Sequence, residues 1–148
     1  MSRPLKDRPD VRFFIELGQI DQLARQRVER ALPEGLSAAS FSVLNRFAAR
    51  GGIASPAELA AAFQVTKGAM TNTLQRLEEQ GLIKVVTDPD DGRRKQVTLT
   101  EAGARRHQEC LSTLKPALDR LRSAFPEADF EAALPFLGAL RAWLDGNR

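Results

Sequence analysis

The longest run of consecutive cations in the chain is Arg93-Arg94-Lys95, inside the stretch TDPDDGRRKQVTLTEAG from Thr87 to Gly103. Asp88, Asp90 and Asp91 stand just before it. Pro, Asp and Gly close turns, and the β-branched residues on either side read as paired strands. The cations are therefore expected at the tip of a hairpin. Guanidinium groups on a protruding turn suit the minor groove of DNA, whose negative potential deepens where the groove narrows. Asp91, two residues before Arg93, is expected to brace that guanidinium as a bidentate partner and lower the cost of ordering it. An ordinary charged surface hairpin would look the same, so the neighbouring segment has to decide.

That segment is TKGAMTNTLQRLEEQ, from Thr66 to Gln80. Wound as a helix capped by Thr66, it buries Met70, Leu74 and Leu77 along one face. Lys67, Thr71, Asn72, Gln75 and Arg76 then point outward. Asn and Gln can pair with adenine edges, Arg with guanine or phosphate, and Thr can meet a thymine methyl. Gly68 lets the helix start approach a phosphate closely, where free N–H groups favour an anion. No acid occurs between Thr66 and Arg76, whereas Glu58, Glu78 and Glu79 lie just outside. A plain solvated helix face normally mixes the two signs, so the pattern favours a nucleic-acid reader.

Other chemistries have little to work with. The chain holds one histidine, one cysteine and no tyrosine. His107 and Cys110 are three residues apart, too few ligands for a metal site, and no Gly-rich phosphate loop is present. No catalytic residue, metal or cofactor is expected, and the chain is not read as an enzyme. Cys110 falls in mid-helix, without a lysine or helix N-terminus to lower its pKa, and reads as a buried structural thiol rather than a redox sensor. Arg106, one turn away, gives a sensor only slight support. His107 is expected at a helix surface or interface. One cysteine excludes an intrachain disulfide. Without a signal-like apolar segment or an 18-residue apolar run, no membrane partner is expected and the compartment reads as cytoplasmic. The net charge of +3 and pI near 9.5 lean toward nucleic acid without deciding it.

The elements that would position these residues follow from periodicity. Residues 1–10 read as a mobile arm. From Val11 a stripe of Phe13, Leu17, Ile20, Ala24, Val28 and Ala31 forms a helix of about six turns, with Phe14 and Leu32 beside it and Pro33 and Gly35 ending it. Ser37 caps a second helix with Phe41, Leu44, Phe47 and Ala48 on one face, stopped by Gly51-Gly52. Ser55, Pro56 and Glu58 make a capping box for a short helix to about Ala62. The recognition segment follows, ended by Gly81. Strands are expected over 82–87 and 95–100. Thr100 then opens a long helix whose seam is His107, Leu111, Leu114, Leu118, Leu121 and Phe125, with a kink expected at Pro116. A last helix reaches Asp145 with Phe130, Ala133, Leu137, Leu140 and Leu144 inward, Trp143 beside them, and Pro135 inside it. The fold class is mainly α with a small β-hairpin wing (α+β): a winged helix-turn-helix in one domain over 11–148, after the arm of residues 1–10.

From Leu59 through Gly103 the chain resembles the MarR family of bacterial winged-helix regulators. The residues that carry the resemblance are SPAELAAAFQVTKGAMTNTLQRLEEQGLI and the wing signature Asp91, Arg93, Leu99, Thr100, with EAG after it. The resemblance implies a homodimer that binds an inverted-repeat duplex and often responds to a small aromatic effector. It implies a DNA-binding lobe over 37–100 and dimerisation helices over 11–36 and 101–148. Carried over by position, Lys67, Gly68, Thr71, Asn72 and Arg76 would meet the major groove. Arg93 would enter the minor groove, and Arg94 and Lys95 would touch phosphate. The apolar excess on the outer helices assigns Phe13, Leu17, Leu111, Leu114, Leu118, Leu121, Leu137, Leu140 and Leu144 to the dimer interface. Phe14, Phe41, Leu44 and Phe47, with Phe13, are either a ligand pocket between arm and lobe or plain core. Gln64 departs from the family where a glycine is usual, and Pro116 and Pro135 interrupt the dimer helices. The function expected is a sequence-specific transcriptional regulator of repressor type. The rival is a winged-helix adaptor that binds protein and no DNA.

Overall fold

Ser37, Ser55, Thr66 and Thr100 open four helices in the same way: each side-chain hydroxyl accepts the N–H three residues on. At Ser55 the reciprocal bond from Glu58 completes the capping box. The computed structural model describes residues 3–147. Its helices are α1 Pro9–Ala31, α2 Ala38–Arg50, α3 Pro56–Ala62, α4 Lys67–Glu79, α5 Glu101–Ala124 and α6 Glu127–Gly146, with strands β1 Ile83–Thr87 and β2 Lys95–Leu99 between α4 and α5. Helix α1 starts two residues before the expected Val11, because Pro9 at the first helical position and Asp10 in the first turn suit a helix start. A single 3-10 turn, Leu5–Asp7, precedes it. The first two residues of the expected arm, and Arg148, lie outside the described residues.

β1 and β2 pair antiparallel with Val85 opposite Val97. Ala54, between α2 and α3, adds a single bridge on the far edge of β2, with bonds of 3.1 and 2.8 Å to Val97. One bridging residue has no alternation to reveal it in sequence. The lobe core gathers Val43, Leu44, Phe47, Leu59, Leu74, Leu77, Ile83 and Val97, all nearly inaccessible to water. Each large side chain so placed contributes about 1.5–3 kcal/mol. Ala48, expected on this face, is exposed. Val43 and Ser40 take the buried positions, because α2 is covered by α5 as well as by the lobe.

Helix α5 is joined to the lobe at two places. At its start, Thr100 Oγ1 donates to Gly81 O at 2.6 Å and Thr100 N to Leu82 O at 3.1 Å. Gly103 lies so close that a Cβ there would be 2.0 Å from Leu82 O. Further along, a second cluster of Phe41, Cys110 and Leu114 packs against Val28, Ala31 and Leu32 of α1 and its end. His107 is buried here. Its Nε2–H donates to Asn45 Oδ1 at 2.6 Å, and its ring stacks on Phe41 with centroids 5.8 Å apart. The expectation of a surface or interface histidine was wrong, because α2 offers it both a carbonyl acceptor and an aromatic face. Cys110 is fully buried, and loss of water pushes its thiol pKa up despite nearby Arg106.

Helices α5 and α6 run through Pro116 and Pro135 without interruption. Neither α1 nor α6 has a buried residue. Phe13 and Phe136 meet edge to face at 5.4 Å. Among the described residues no helix is long and apolar enough to cross a membrane.

Two outcomes follow from these joints. Gly103→Ala drives a methyl into a backbone carbonyl and should cost about 3 kcal/mol, read as a fall in the urea midpoint. Burial lowers the His107 pKa below its ordinary 6.5. The unfolded chain then takes up the proton first as pH falls, so stability is complete above about pH 6.5 and declines below it. His107→Gln, which keeps an N–H for Asn45 and does not titrate, should flatten the change in urea midpoint between about pH 7 and 5.5.

Candidate nucleic-acid interface

Helix α4 divides its two faces as its sequence requires. Met70, Leu74 and Leu77 are buried, while Thr66, Lys67, Gly68, Thr71, Asn72, Gln75 and Arg76 are exposed. Thr71 Oγ1 donates to Lys67 O at 2.8 Å, so its only proton is used within the helix. Its methyl and its lone pairs are left facing outward. Neither Lys67 nor Arg76 forms an ion pair among the described residues, where all five ion pairs join other groups. Glu78, the first acid beyond this face, accepts the Val85 N–H at 3.1 Å and so anchors β1.

The turn before α4 is tight. Gln64 adopts φ +54°, the left-handed conformation that glycine takes at no steric cost. Its amide Nε2 donates to Ala61 O at 3.1 Å, which offsets part of the strain.

In the wing the acids are bound to the backbone. Asp91 Oδ1 accepts the Arg93 N–H at 3.0 Å, and Asp88 Oδ1 accepts the Asp90 N–H at 2.9 Å. Main-chain bonds Asp88 N to Arg94 O and Arg94 N to Asp91 O close the turn at 2.8 and 3.0 Å. This corrects the expected Asp91–Arg93 guanidinium pair. At a separation of two residues the nearer donor is the Arg93 amide, which forms an Asx-turn. Arg93, Arg94 and Lys95 are exposed and form no ion pair among the described residues.

Wing and helix meet at a groove of about 310 Å³ lined by Lys67, Thr71, Arg93, Arg94 and Lys95, with Ser55, Pro56 and Ala57 closing one side. Asn72, Gln75 and Arg76 lie outside this groove on the outward side of α4. The start of α3 was missed as part of the site. Ser55 reads in sequence only as a cap, and its proximity to the wing comes from the Ala54–Val97 bridge.

The proposed pocket residues separate. Leu44, Phe47 and Phe41 are core, at 0, 2 and 7% exposure. The pocket reading is wrong for these three, since α2 faces the lobe and α5. Phe14 alone lines a cleft, about 490 Å³, with Leu17, Leu137, Leu140 and Leu144, and with Arg50, Gln64, Arg141 and Asp145 at its edges. No group of three or more His, Cys, Asp or Glu among the described residues is placed to hold a metal.

A three-helix lobe with a capped, outward-facing α4 and a basic hairpin defines a winged helix-turn-helix protein. The sequence pattern of the MarR family matches residues 34–94. The multiple antibiotic resistance protein MarR of Escherichia coli K12 is 32% identical over 129 residues, which is 84% of this chain and 89% of that protein. The structure of the transcriptional regulator BldR from Sulfolobus solfataricus superposes with a TM-score of 0.77 at 21% identity, covering 95% of this chain and 99% of that one. CouR from Rhodococcus jostii RHA1, bound to p-coumaroyl-CoA, superposes with a TM-score of 0.71 at 22% identity, covering 95% and 96%. The chain belongs to the MarR family of transcriptional regulators.

Thr66→Ala removes the cap that starts α4. It should destabilise the chain by about 1 kcal/mol in urea unfolding, whereas Thr66→Ser should leave it within a few tenths.

Proposed function

We propose that the chain is a homodimeric DNA-binding regulator, of repressor type, that reads an inverted repeat and is released by a small aromatic ligand. The observation that carries this reading is the convergence of Lys67, Thr71, Arg93, Arg94 and Lys95 on one groove beside an acid-free helix face. Helix α4 enters the major groove, where Asn72, Gln75 and Arg76 meet base edges. The wing lies along the backbone, with Arg93 in the adjacent minor groove and Arg94 and Lys95 on phosphates.

The outer helices support the dimer. Ile15, Ile20 and Leu23 on α1, Leu118 and Leu121 on α5, and Leu134, Phe136, Trp143 and Leu144 on α6 are all 40–64% exposed in the single chain. That is more continuous apolar surface than a soluble monomer leaves uncovered. Phe13, Leu17, Leu111, Leu137 and Leu140 are half-buried beside it and Leu114 is buried beneath it. A two-fold pair would carry two α4 helices and two wings to successive turns of one duplex.

For the ligand, the cleft beside Phe14 has apolar walls and two guanidinium groups, Arg50 and Arg141. An aromatic ring suits those apolar walls, with Arg50, Arg141 and Asp145 at the edge to meet its polar groups. The bound p-coumaroyl-CoA of CouR is an aromatic precedent within the same fold. Because the cleft is bounded by α1, α6 and the lobe residues Arg50, Ala62 and Gln64, a ligand can bind unequally to different arrangements of arm and lobe.

The test is selection of bound duplexes from a random library, followed by anisotropy titration. An inverted repeat should be recovered, with affinity falling steeply with salt, at a slope of about −0.9 per phosphate contact. Asn72→Ala should relax one base position by about 1–3 kcal/mol. Arg93→Ala should weaken binding with loss of A·T preference at the flanks. A chain that binds no duplex in dilute buffer is the protein-binding adaptor instead.

A further inference from the structure

The linker between α1 and α2 is gripped by two side chains from distant parts of the chain. Gln80, the residue that caps the end of α4, donates its Nε2–H to Gly35 O at 3.1 Å across 45 positions of sequence. The same amide donates to Arg76 O of α4 at 3.3 Å, so one side chain closes the helix and holds the linker. Arg106 of α5 donates Nη2–H to Glu34 O at 2.9 Å, while Glu109 takes its Nη1–H at 2.7 Å. Leu36, the next residue, packs against both the lobe core and the cluster of Phe41, Cys110 and Leu114. Residues 34–36 therefore meet α4, α5 and both apolar clusters. Val28 and Ala31, with Leu32 just beyond, pack on the second cluster at the same end of α1. α1 has 23 residues. At 1.5 Å per residue it is about 34 Å long. A tilt of about 6° at the linker moves its far end by about 3.6 Å, roughly the rise of one base pair.

We propose that Gln80 and Arg106 are positioning residues that set the angle between α1 and α4, and through it the half-site spacing that the dimer accepts. The inference rests on the reading of the chain as a dimer that binds an inverted repeat. In such a dimer the two-fold axis passes between the arms, and each α4 keeps its distance from that axis only while the angle at the linker is fixed. One base pair added between half-sites moves them apart by about 3.4 Å and turns one against the other by about 34°. A stiff link favours one spacing, whereas a loose link spreads its affinity over several. Gln80 is exposed and Arg106 half-buried, so their loss leaves the dry core of the lobe in place and loosens the angle.

The experiment uses the full chain and the inverted repeat recovered from the random library, rebuilt with one base pair added or removed between half-sites. Dissociation constants are read by fluorescence anisotropy, with a duplex carrying one half-site as the reference. The wild type should favour its own spacing by about tenfold over either altered one. Q80M/R106M removes both linker bonds at similar side-chain length and should reduce that preference to about threefold or less. Its affinity for the single half-site should stay within about twofold of wild type, because the faces of α4 and the wing are untouched. Q80K/R106K returns a donor to each position and should restore the preference. Its added charge acts on every duplex alike and cancels in the ratio. Should the double variant not fold, Gln80→Met alone, at an exposed position, carries the same test. A preference that survives Q80M/R106M, a loss equal on all duplexes and the single half-site, or a failure of Q80K/R106K to restore the preference overturns the positioning role and leaves the DNA-binding reading intact. A wild type that binds every spacing equally does the same. A wild type that binds no duplex overturns both readings.

Discussion

The passage of α5 over the start of β1 is the constraint on which the rest depends. Thr100 carries three bonds at once: it accepts the Gly103 N–H, donates its hydroxyl proton to Gly81 O, and donates its backbone N–H to Leu82 O. Leu82 N in turn donates to Leu77 O at the end of α4. The recognition helix, the wing and the first turn of α5 therefore share one node, and only glycine fits at position 103. The Leu-Thr-Glu-Ala-Gly signature is thus a joint before it is anything else.

Charge within the lobe is arranged by where carboxylates find amide donors. Asp88, Asp91, Glu58 and Glu78 each accept a backbone N–H, and each fixes a turn, a cap or a strand in doing so. Among the described residues none of them pairs with a cation. The wing therefore keeps a rigid main chain while its arginines and lysine remain open to solvent. Acids that looked like partners for the cations in the sequence instead raise the order of the loop through its backbone. A charge-assisted bond to a backbone N–H also costs no side-chain entropy on the donor side, unlike a surface pair of two long side chains.

The parts legible in the sequence were those decided within one or two helical turns. Ser37, Ser55, Thr66 and Thr100 name their helices because a cap and the N–H that donates to it are three residues apart. Met70, Leu74 and Leu77 name a buried face because one helix has one period. Gly81 ends α4 at φ +72° because a left-handed residue is needed there, and Gln64 shows the same conformation with a side chain. What was not legible depended on which element covers which. Phe41, Leu44 and Phe47 left a pocket open beside the core reading; Leu44 and Phe47 close into the lobe core and Phe41 packs under α5, and no local pattern encodes either docking. His107 looked like a surface residue until Asn45 and Phe41 were brought to it across 62 positions of chain. The groove between α4 and the wing needed Ser55 and Pro56 from a segment read only as a helix start.

The two halves of the chain are held by different forces. The lobe and the first half of α5 close on themselves, through a dry core, the Thr100 node and the His107–Asn45 bond. Helices α1 and α6 and the second half of α5 do not, since Leu118, Leu121, Leu134, Phe136 and Trp143 remain open to water. Helix α6 is apolar around much of its circumference, which a helix sustains only when neighbours enclose it from more than one side. Phe13 supplies one such contact to Phe136 and Leu137 and Leu140 are half-buried, while Phe130, Leu134, Phe136, Trp143 and Leu144 remain exposed. In the proposed dimer, assembly would complete the folding of the arms while the lobes arrive already formed. The stability of the arms would then vary with protomer concentration and that of the lobes would not. In that dimer, a change in how two arms pack would reach α4 and the wing through the Thr100–Gly103 joint. The cleft beside Phe14 has walls from α1, α6 and the lobe, and a molecule held there would bear on that packing.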